Sequence, residues 1–232
     1  MLSRQAHPAK DGVEYVVGDL ATGDGLSEAV EGVNTVVHLG GSAKGDDAKA
    51  RHLVDAAKPA GVRHVVYVSV VGADRVPVKS GMDRAMFGYF ETKLAAERVI
   101  AESGLPWTTL RATQFHEAML AMVRAMAKLP VVPVMVGFRF QPVAAADVAE
   151  RLVELALGAP AGLVPDLAGP TSYGLDELAR DYLRATHRRR PILSLPMPGN
   201  AARAYRDGAN LPTAGAAKGH RTWEAVLAEQ TS

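Results

Sequence analysis

Several kinds of residue and segment are missing from this chain of 232 residues, and each absence excludes a class of protein. There is no cysteine, which excludes disulfides, thiolate metal sites and a cysteine nucleophile. The formal net charge is only +1, which gives no electrostatic reason to expect binding to nucleic acid or an anionic membrane. The longest apolar region, 118–138, is interrupted by two basic residues and two prolines, so it predicts no transmembrane helix.

The N-terminal residues also lack the apolar segment of a signal peptide, and the histidines show no metal-ligand spacing. A hydrophobic content of 48% is enough for a sizeable core in one domain, or in one domain with a small lobe. We therefore expect a cytoplasmic protein without a metal site. Separately, a small-molecule substrate is expected as its partner, and a monomer or homodimer as its state of assembly.

Apolar runs alternate with helical patterns along the first two thirds of the chain. This alternation predicts an α/β fold with a doubly wound parallel sheet. The predicted strands are 13–20, 34–39, 64–71, 107–111, 138–143, 163–167 and 192–195, and the predicted helices are 26–30, 48–60, 83–103, 117–128, 147–157 and 175–186.

Prolines become frequent after residue 157, where the alternation also loosens. This change predicts a sheet domain over 1–157 and a smaller C-terminal lobe on the substrate side over 158–232. The run 187–190, His-Arg-Arg-Arg, follows a predicted helix. Such a run complements the partial negative charge of a helix C-terminus, and phosphate binding is a minor alternative.

Tyr89 and Lys93 lie four residues apart in the longest predicted helix and therefore share one helix face. In a functional interpretation Lys93 lowers the pKa of the Tyr89 phenol, which then donates a proton to a carbonyl, and Lys93 also holds ribose hydroxyls. In a structural interpretation Tyr89 is an amphipathic core residue, and Lys93 extends its ammonium to solvent. The preceding buried strand carries Ser69 near its carboxyl end, where ligands bind in such sheets, and this favours the functional interpretation.

Six segments, in order, resemble atypical short-chain dehydrogenase/reductases, and most closely their NmrA-like NAD(P)-binding group. The segments are VVGDLATGDGL, VNTVVHLGG, VRHVVYVSVVGAD, YFETKLAAERVIAESGLPWTTLRATQF, QPVAAADVAE and LAGPTSYGLDELA. The resemblance covers nearly the whole chain. It implies a Rossmann-like fold, and it is less specific for the reaction because the group contains both reductases and non-catalytic cofactor sensors.

The resemblance also implies roles for individual residues. Tyr89, Lys93 and Ser69 would form the catalytic set, with Ser69 orienting the substrate carbonyl. In central members of the family the catalytic hydroxyl can lie one position later, where this chain has Val70. Residues implied to bind the cofactor are Arg4, Asp19, Leu20, Leu39, Gly40, Gly41, Lys93, Thr113 and Gln114. Simpler interpretations stay open for three of these features: Asp19 as a turn residue, Gly40-Gly41 as a tight turn, and Thr113 as a helix N-cap.

Arg4 bears on the choice of cofactor. In the family, the strand that ends here presents the residue that reads the adenine ribose: an acid selects NAD, and an arginine pairs with the 2′-phosphate of NADP. The sequence Leu2-Ser3-Arg4 contains no acid, so NADP is expected and NAD is less expected. The alternative is an ordinary surface arginine.

In the family pattern, a first strand, a glycine-rich turn and a helix precede the segment that begins at Leu2, and this sequence does not contain them. Weak NADP binding by these 232 residues is therefore expected, since that turn holds the pyrophosphate. The best functional interpretation is an NADPH-dependent reductase of a small carbonyl or enone. The alternatives are an NADP-sensing regulator without turnover and a truncated, inactive remnant.

Overall fold

The computed structural model describes residues 1–42 and 44–231. Its helices are α1 (Leu26–Val30), α2 (Asp46–Ala57), α3 (Gly81–Ala101), α4 (His116–Met126), α5 (Ala145–Leu157), α6 (Leu175–Ala185), α7 (Asn200–Arg206) and α8 (Trp223–Thr231). Its strands are β1 (Leu2–Ser3), β2 (Val16–Val17), β3 (Thr35–His38), β4 (His64–Val70), β5 (Trp107–Ala112), β6 (Val132–Met135), β7 (Arg139–Phe140), β8 (Gly162–Leu163), β9 (Leu167–Ala168), β10 (Tyr173–Gly174), β11 (Ile192–Leu195) and β12 (Ala217–Lys218). Within the described ranges, no helix has the length and apolar character needed to span a bilayer.

The chain forms two compact units that interleave in sequence. The first comprises Met1–Ser69, Gly88–Leu110 and Leu152–Val164, and the second comprises Val70–Phe87, Arg111–Arg151 and Pro165–Ser232. Long strands β4 and β5 begin in the first unit and end in the second. The predicted α/β fold with a parallel central sheet is confirmed. The boundary expected at residue 157 stays a prediction.

The sheet of the first unit is parallel throughout. Strand β3 pairs with β4, Thr35 lying opposite His64, and β5 pairs with β8. The Val65 amide donates to the Pro106 carbonyl at 2.9 Å, which joins β4 to the start of β5. Strand β4 is nearly all apolar and buried, as expected of a parallel strand covered on both faces.

Strands β1 and β2 form a separate parallel pair, with Leu2 opposite Val16. The strand predicted over 13–20 is therefore only two residues long, because its partner β1 offers two residues for pairing. Strand β2 makes no pairing with β3 in the part of the chain that the structure describes. The free edge of β3 leaves Val37 40% exposed, although the sequence predicted a buried strand.

Helices α2 and α3 pack on this sheet through their apolar faces. The buried cluster consists of Val30, Ala50, Leu53, Ala57, Val62, Val65, Tyr67, Ala96 and Ile100. The spacing of Leu53 and Ala57, and of Ala96 and Ile100, places each pair on one helix face. This packing fixes the orientation of α3, which carries Tyr89 and Lys93.

The second unit is built around short strand pairs and an aromatic cluster. Strand β11 pairs with β6 in parallel, β10 with β7 antiparallel, and β12 with β9 in parallel. The Tyr205 ring lies 5.1 Å from that of Phe87 and 4.9 Å from that of Phe138. Strands β6, β10 and β12 and helices α7 and α8 were not predicted from the sequence.

Candidate functional site

Helix α3 presents Tyr89 and Lys93 on one face, as their spacing predicts. The Lys93 ammonium lies 5.6 Å from the centre of the Tyr89 ring. Lys93 is 3% exposed, whereas Tyr89 is 40% exposed, so the lysine is held inside and the phenol reaches the surface. Among the described residues the Tyr89 hydroxyl has no hydrogen-bond partner, and it is therefore free to contact a ligand.

The Lys93 ammonium is surrounded by oxygen atoms of the first unit. It lies 3.3 Å from Oδ2 of Asp46, donates to the Tyr67 hydroxyl at 3.3 Å and donates to the Val68 carbonyl at 3.4 Å. Asp46 is fully buried at the start of α2, and its other oxygen accepts the Ser42 amide at 2.8 Å. A buried lysine charge is therefore matched by a buried carboxylate, as desolvation requires.

These surroundings make the Tyr89 phenol a weaker acid, whereas the sequence predicted a stronger one. Burial lowers the pKa of Lys93, and the nearby Asp46 carboxylate opposes this shift. Burial also raises the pKa of Tyr89 to about 12, and Asp46 contributes to the increase. The expectation that Lys93 lowers the pKa of Tyr89 is therefore wrong for this structure, because burial, with a contribution from the Asp46 carboxylate, raises that pKa.

The two glycines after β3 allow the chain to pass close to this lysine. A Cβ on Gly41 would lie 2.7 Å from the Lys93 ammonium, and one on Gly40 would lie 2.5 Å from Cδ1 of Leu20. Leu39, the residue before them, is 60% exposed. The segment thus combines close packing on one side with backbone open to solvent on the other, and a side chain at Gly41 would displace the lysine.

Ser69 lies one residue before the end of β4 and is 5% exposed. Its hydroxyl is buried without a hydrogen-bond partner among the described residues. An unpaired buried hydroxyl is uncommon in folded proteins and costs about 1–3 kcal/mol. A ligand atom that formed a hydrogen bond with the Ser69 hydroxyl would remove this cost.

Asp19 and Leu20 follow β2 in a tight turn. The Asp19 carboxylate accepts the Ala21 amide at 2.8 Å, which supports its interpretation as a turn residue. Leu20 packs against the buried cluster, and its carbonyl contacts Nδ1 of His52 at 2.9 Å. Asp19 is half-buried and retains an oxygen that makes no hydrogen bond in the described part of the chain.

Arg4 lies directly after β1 and is exposed. Together with Ser3, Gln5 and His7 it lines a polar cavity of about 590 Å³. Its guanidinium makes no ion pair with any described residue. An arginine of this kind can receive an anion without first losing another partner.

Thr113 and Gln114 belong to the second unit, directly after β5. The Thr113 hydroxyl donates to the Gln141 carbonyl at 2.6 Å. Phe115, and not Thr113, occupies the N-cap position of α4, so the N-cap interpretation is wrong. Both polar atoms of the Gln114 side-chain amide are buried without partners among the described residues.

Two residues of this site, Asp46 and Tyr67, were missed from the sequence, and His38 at the end of β3 is a buried residue beside them. The His38 ring stacks on that of Tyr67, with centroids 5.1 Å apart and planes inclined by 21°. Asp46 had one available signal, since acidic residues favour the first turn of a helix and Gly45-Asp46 precedes the predicted helix. The inward direction of the Tyr67 hydroxyl had no sequence signal.

We predict that His38 makes the protein sensitive to acid. Burial, together with the Lys93 and Lys49 charges, lowers the pKa of His38 from 6.5 to about 4, and Asp46 partly opposes the shift. Because the unfolded chain takes up a proton below pH 6.5 and the folded protein resists it, stability falls as the pH drops from 6.5 towards 4. The loss is about 3 kcal/mol over that window.

Urea unfolding of the native protein and of His38→Gln at pH 7 and at pH 4.5 measures this contribution. The variant should lose less free energy of unfolding between the two pH values than the native protein does. Equal losses would mean that other groups, such as the buried His64 and His116, account for the acid sensitivity.

Residues 2–157 match the family model described as NAD(P)H-binding. The chain belongs to the NAD(P)H-binding family. The NAD(P)-binding family predicted from the sequence is confirmed. A curated relative, quinone oxidoreductase 2 of Escherichia coli strain K12, is 29% identical over 118 residues, which are 50% of this chain and 38% of the relative.

Solved structures share the fold at low sequence identity. The NADPH-dependent quinone oxidoreductase of Escherichia coli, solved with NADPH, has a TM-score of 0.78 at 20% identity. The match covers 95% of this chain and 84% of the oxidoreductase chain. The triphenylmethane reductase of Citrobacter sp. has a TM-score of 0.73 at 18% identity, covering 95% and 83%. A nucleoside-diphosphate-sugar epimerase of Staphylococcus aureus also has a TM-score of 0.73 at 18% identity, covering 97% and 88%.

Proposed function

We propose that this chain is an NADPH-dependent reductase that acts on a small carbonyl or enone, and that quinones are the first class to test. The observation that carries the proposal is the pairing of Tyr89 and Lys93 on α3, with the ammonium buried and the phenol exposed. Membership of the NAD(P)H-binding family supports the cofactor. The quinone class is suggested by the relative that is named quinone oxidoreductase 2.

The described residues fit the cofactor at its two ends. Arg4 offers an unpaired guanidinium in a polar cavity, suited to the 2′-phosphate of an adenine ribose. Lys93, beside Gly41, is suited to ribose hydroxyls at the nicotinamide end. The sequence contains no Gly-x-x-Gly-x-x-Gly turn for the pyrophosphate, so we expect weak binding by these residues alone.

In this proposal the residues of the chain bind, orient and transfer a proton. A bound NADPH would supply the hydride. Tyr89 would donate its hydroxyl proton to the substrate oxygen and recover a proton from solvent, which its 40% exposure permits. Ser69 would offer its unpaired hydroxyl to the same oxygen, and Lys93 would hold ribose while remaining near Asp46.

A second function, an NADP-sensing regulator that binds the cofactor without turnover, also has a specific observation in its favour. The pKa of Tyr89 is raised to about 12, which makes the phenol a poor acid. The Lys93 charge is already paired with Asp46. A third interpretation is an inactive remnant that neither binds the cofactor nor turns it over.

One pair of measurements separates the three. Calorimetric titration with NADPH measures binding, and absorbance at the dihydronicotinamide band measures oxidation when a simple benzoquinone is added. Binding with quinone-dependent oxidation supports the reductase, and binding without oxidation by a panel of quinones and enones supports the regulator. Absence of both supports the inactive remnant and contradicts our proposal.

Arg4 should select NADPH over NADH. Charge-assisted hydrogen bonds contribute roughly 1.5–3 kcal/mol, and the exposure of Arg4 places the effect near the lower limit. We therefore expect Arg4→Ala to weaken NADPH binding about tenfold and to leave NADH binding unchanged. Arg63→Ala, at another exposed arginine, is the charge-matched control. Similar losses for both cofactors, or for both variants, would show that Arg4 does not read the 2′-phosphate.

A further inference from the structure

An open cavity of about 540 Å³ in the second unit is lined mainly by arginine. Its basic residues are Arg180, Arg184, Arg188, Arg189 and Arg190. They come from the last turns of α6 and from the loop that leads into β11. Leu183 and Ile192 provide an apolar side to the same cavity. None of these residues takes part in the candidate site described above.

Stabilising the end of α6 is the ordinary role for such arginines, and here the backbone already fulfils it. The Arg188 amide donates to the Leu183 carbonyl at 2.9 Å, and the His187 amide donates to the Arg184 carbonyl at 3.2 Å. His187 adopts the left-handed conformation, with φ of 54°. These features form a Schellman motif, in which backbone amides satisfy the terminal carbonyls. The arginine side chains are therefore not needed as caps.

Three of the five arginines also have no acidic partner. Arg180 pairs with Asp176 at 2.7 Å, and the highly exposed Arg184 pairs with Asp181 at 3.5 Å. The run 188–190 is exposed, and its guanidinium groups make no ion pair or hydrogen bond with any residue in 1–42 or 44–231. Like charges held together in this way repel one another, and an anion would relieve that repulsion.

This part of the chain carries a local excess of positive charge. Residues 180–190 contain five arginines and one aspartate, a net charge of +4, whereas the whole chain has +1. The remainder of the chain is thus net negative. This distribution does not favour a nucleic acid strand, which needs a basic path along its backbone. It favours a compact anion that fits within one cavity.

We propose that this cavity binds a small molecule that carries two or more linked phosphate groups. Planar guanidinium groups bind phosphate oxygens through paired hydrogen bonds, and several of them can engage adjacent phosphates. The cavity volume lies within the range of small-molecule sites. Leu183 and Ile192 would contact an organic part of the ligand, as in a nucleoside triphosphate. The proposal rests on this cavity alone and not on the proposed reductase function.

Calorimetric titration of the full chain with tripolyphosphate, ATP, adenosine and sulfate tests the proposal at about 0.15 M salt. Tripolyphosphate and ATP should bind, and sulfate and adenosine should bind far more weakly. Tighter binding of ATP than of tripolyphosphate identifies a nucleotide, and equal binding identifies inorganic polyphosphate; both support the linked-phosphate chemistry. Binding of the two no tighter than that of sulfate overturns the proposal, as does a clear preference for a single-stranded oligonucleotide.

Variants locate the site. Replacing Arg188, Arg189 and Arg190 by alanine should weaken tripolyphosphate binding about 10–100-fold, while replacing them by lysine should cause a smaller loss because only the fork geometry is removed. Alanine at the exposed Arg63, Arg98 and Arg203 removes the same charge elsewhere and should have little effect. Equal losses in the two alanine variants would overturn the site. Thermal melting confirms that each variant is folded.

Discussion

Replacing Tyr89 by phenylalanine is expected to lower quinone-dependent NADPH oxidation by about 10²–10⁴-fold, the usual contribution of a positioned general acid. The variant keeps the ring that lies 5.6 Å from the Lys93 ammonium, so only the hydroxyl is lost. The Tyr89 residue is 40% exposed and its hydroxyl makes no hydrogen bond with the described residues, so the fold should be unaffected. The affinity for NADPH should change little, because the expected role of the phenol is towards substrate.

Steady-state rates and calorimetric binding of the same preparation measure the two quantities separately. Tyr182→Phe removes a hydroxyl from a buried tyrosine in the second unit and should leave the rate unchanged. An undiminished rate in Tyr89→Phe removes Tyr89 from the mechanism. A loss of NADPH binding in proportion to the loss of rate would instead assign Tyr89 to the cofactor.

Replacing Asp46 by asparagine should lower the free energy of unfolding by about 3–5 kcal/mol, the cost of leaving one member of a buried ion pair uncompensated. Lys93 is 3% exposed and cannot easily reach water. It can instead lose its proton, which from an ordinary pKa of 10.5 costs about 5 kcal/mol at pH 7. That cost limits the part of the effect that comes from the unpaired Lys93 charge.

The pH dependence of this variant has a defined sign. Because burial already lowers the pKa of Lys93, and Asp46 opposes the shift, removing Asp46 lowers the pKa further. The folded variant then binds fewer protons than the unfolded chain at neutral and mildly alkaline pH. Its stability should therefore rise as the pH increases towards 10.5, the ordinary lysine value.

Urea denaturation of Asp46→Asn across this range measures both effects. Asp47→Asn is the matched control, because the adjacent Asp47 pairs with Arg51 at the surface and should contribute less than about 1 kcal/mol. Asp46→Asn combined with Lys93→Met should recover part of the loss, since neither buried charge then remains. Equal stability losses for Asp46→Asn and Asp47→Asn would show that the buried pair is not important to the fold.

The sequence predicted most elements of the fold because local signals and tertiary packing agree there. The predicted helix 26–30 and strand 192–195 have the same bounds in the structure, as α1 and β11. Strand β4 was recognisable as a continuous apolar run, and α3 from the Gly104 and Pro106 that follow it. Helix α8 was missed because its apolar residues show little helical periodicity, and α7 was missed because it has only seven residues.

The extent of strand pairing required the structure. The eight residues over 13–20 have strand propensity, and only Val16–Val17 form a strand. Their partner, Leu2–Ser3, offers two residues, and a strand is only as long as the partner with which it exchanges hydrogen bonds. Propensity along the chain contains no information about the length of that partner.

For the candidate site, the sequence alone determined that Tyr89 and Lys93 share a helix face, because the period of a helix fixes that relation locally. Only the tertiary structure decided the charge balance around them. Asp46 is distant in sequence and reaches Lys93 because α2 and α3 pack on the same buried cluster. Since a pKa depends on burial and on charges within a few ångströms, whatever their position in the sequence, the raised pKa of Tyr89 follows from that packing and not from the spacing of the pair.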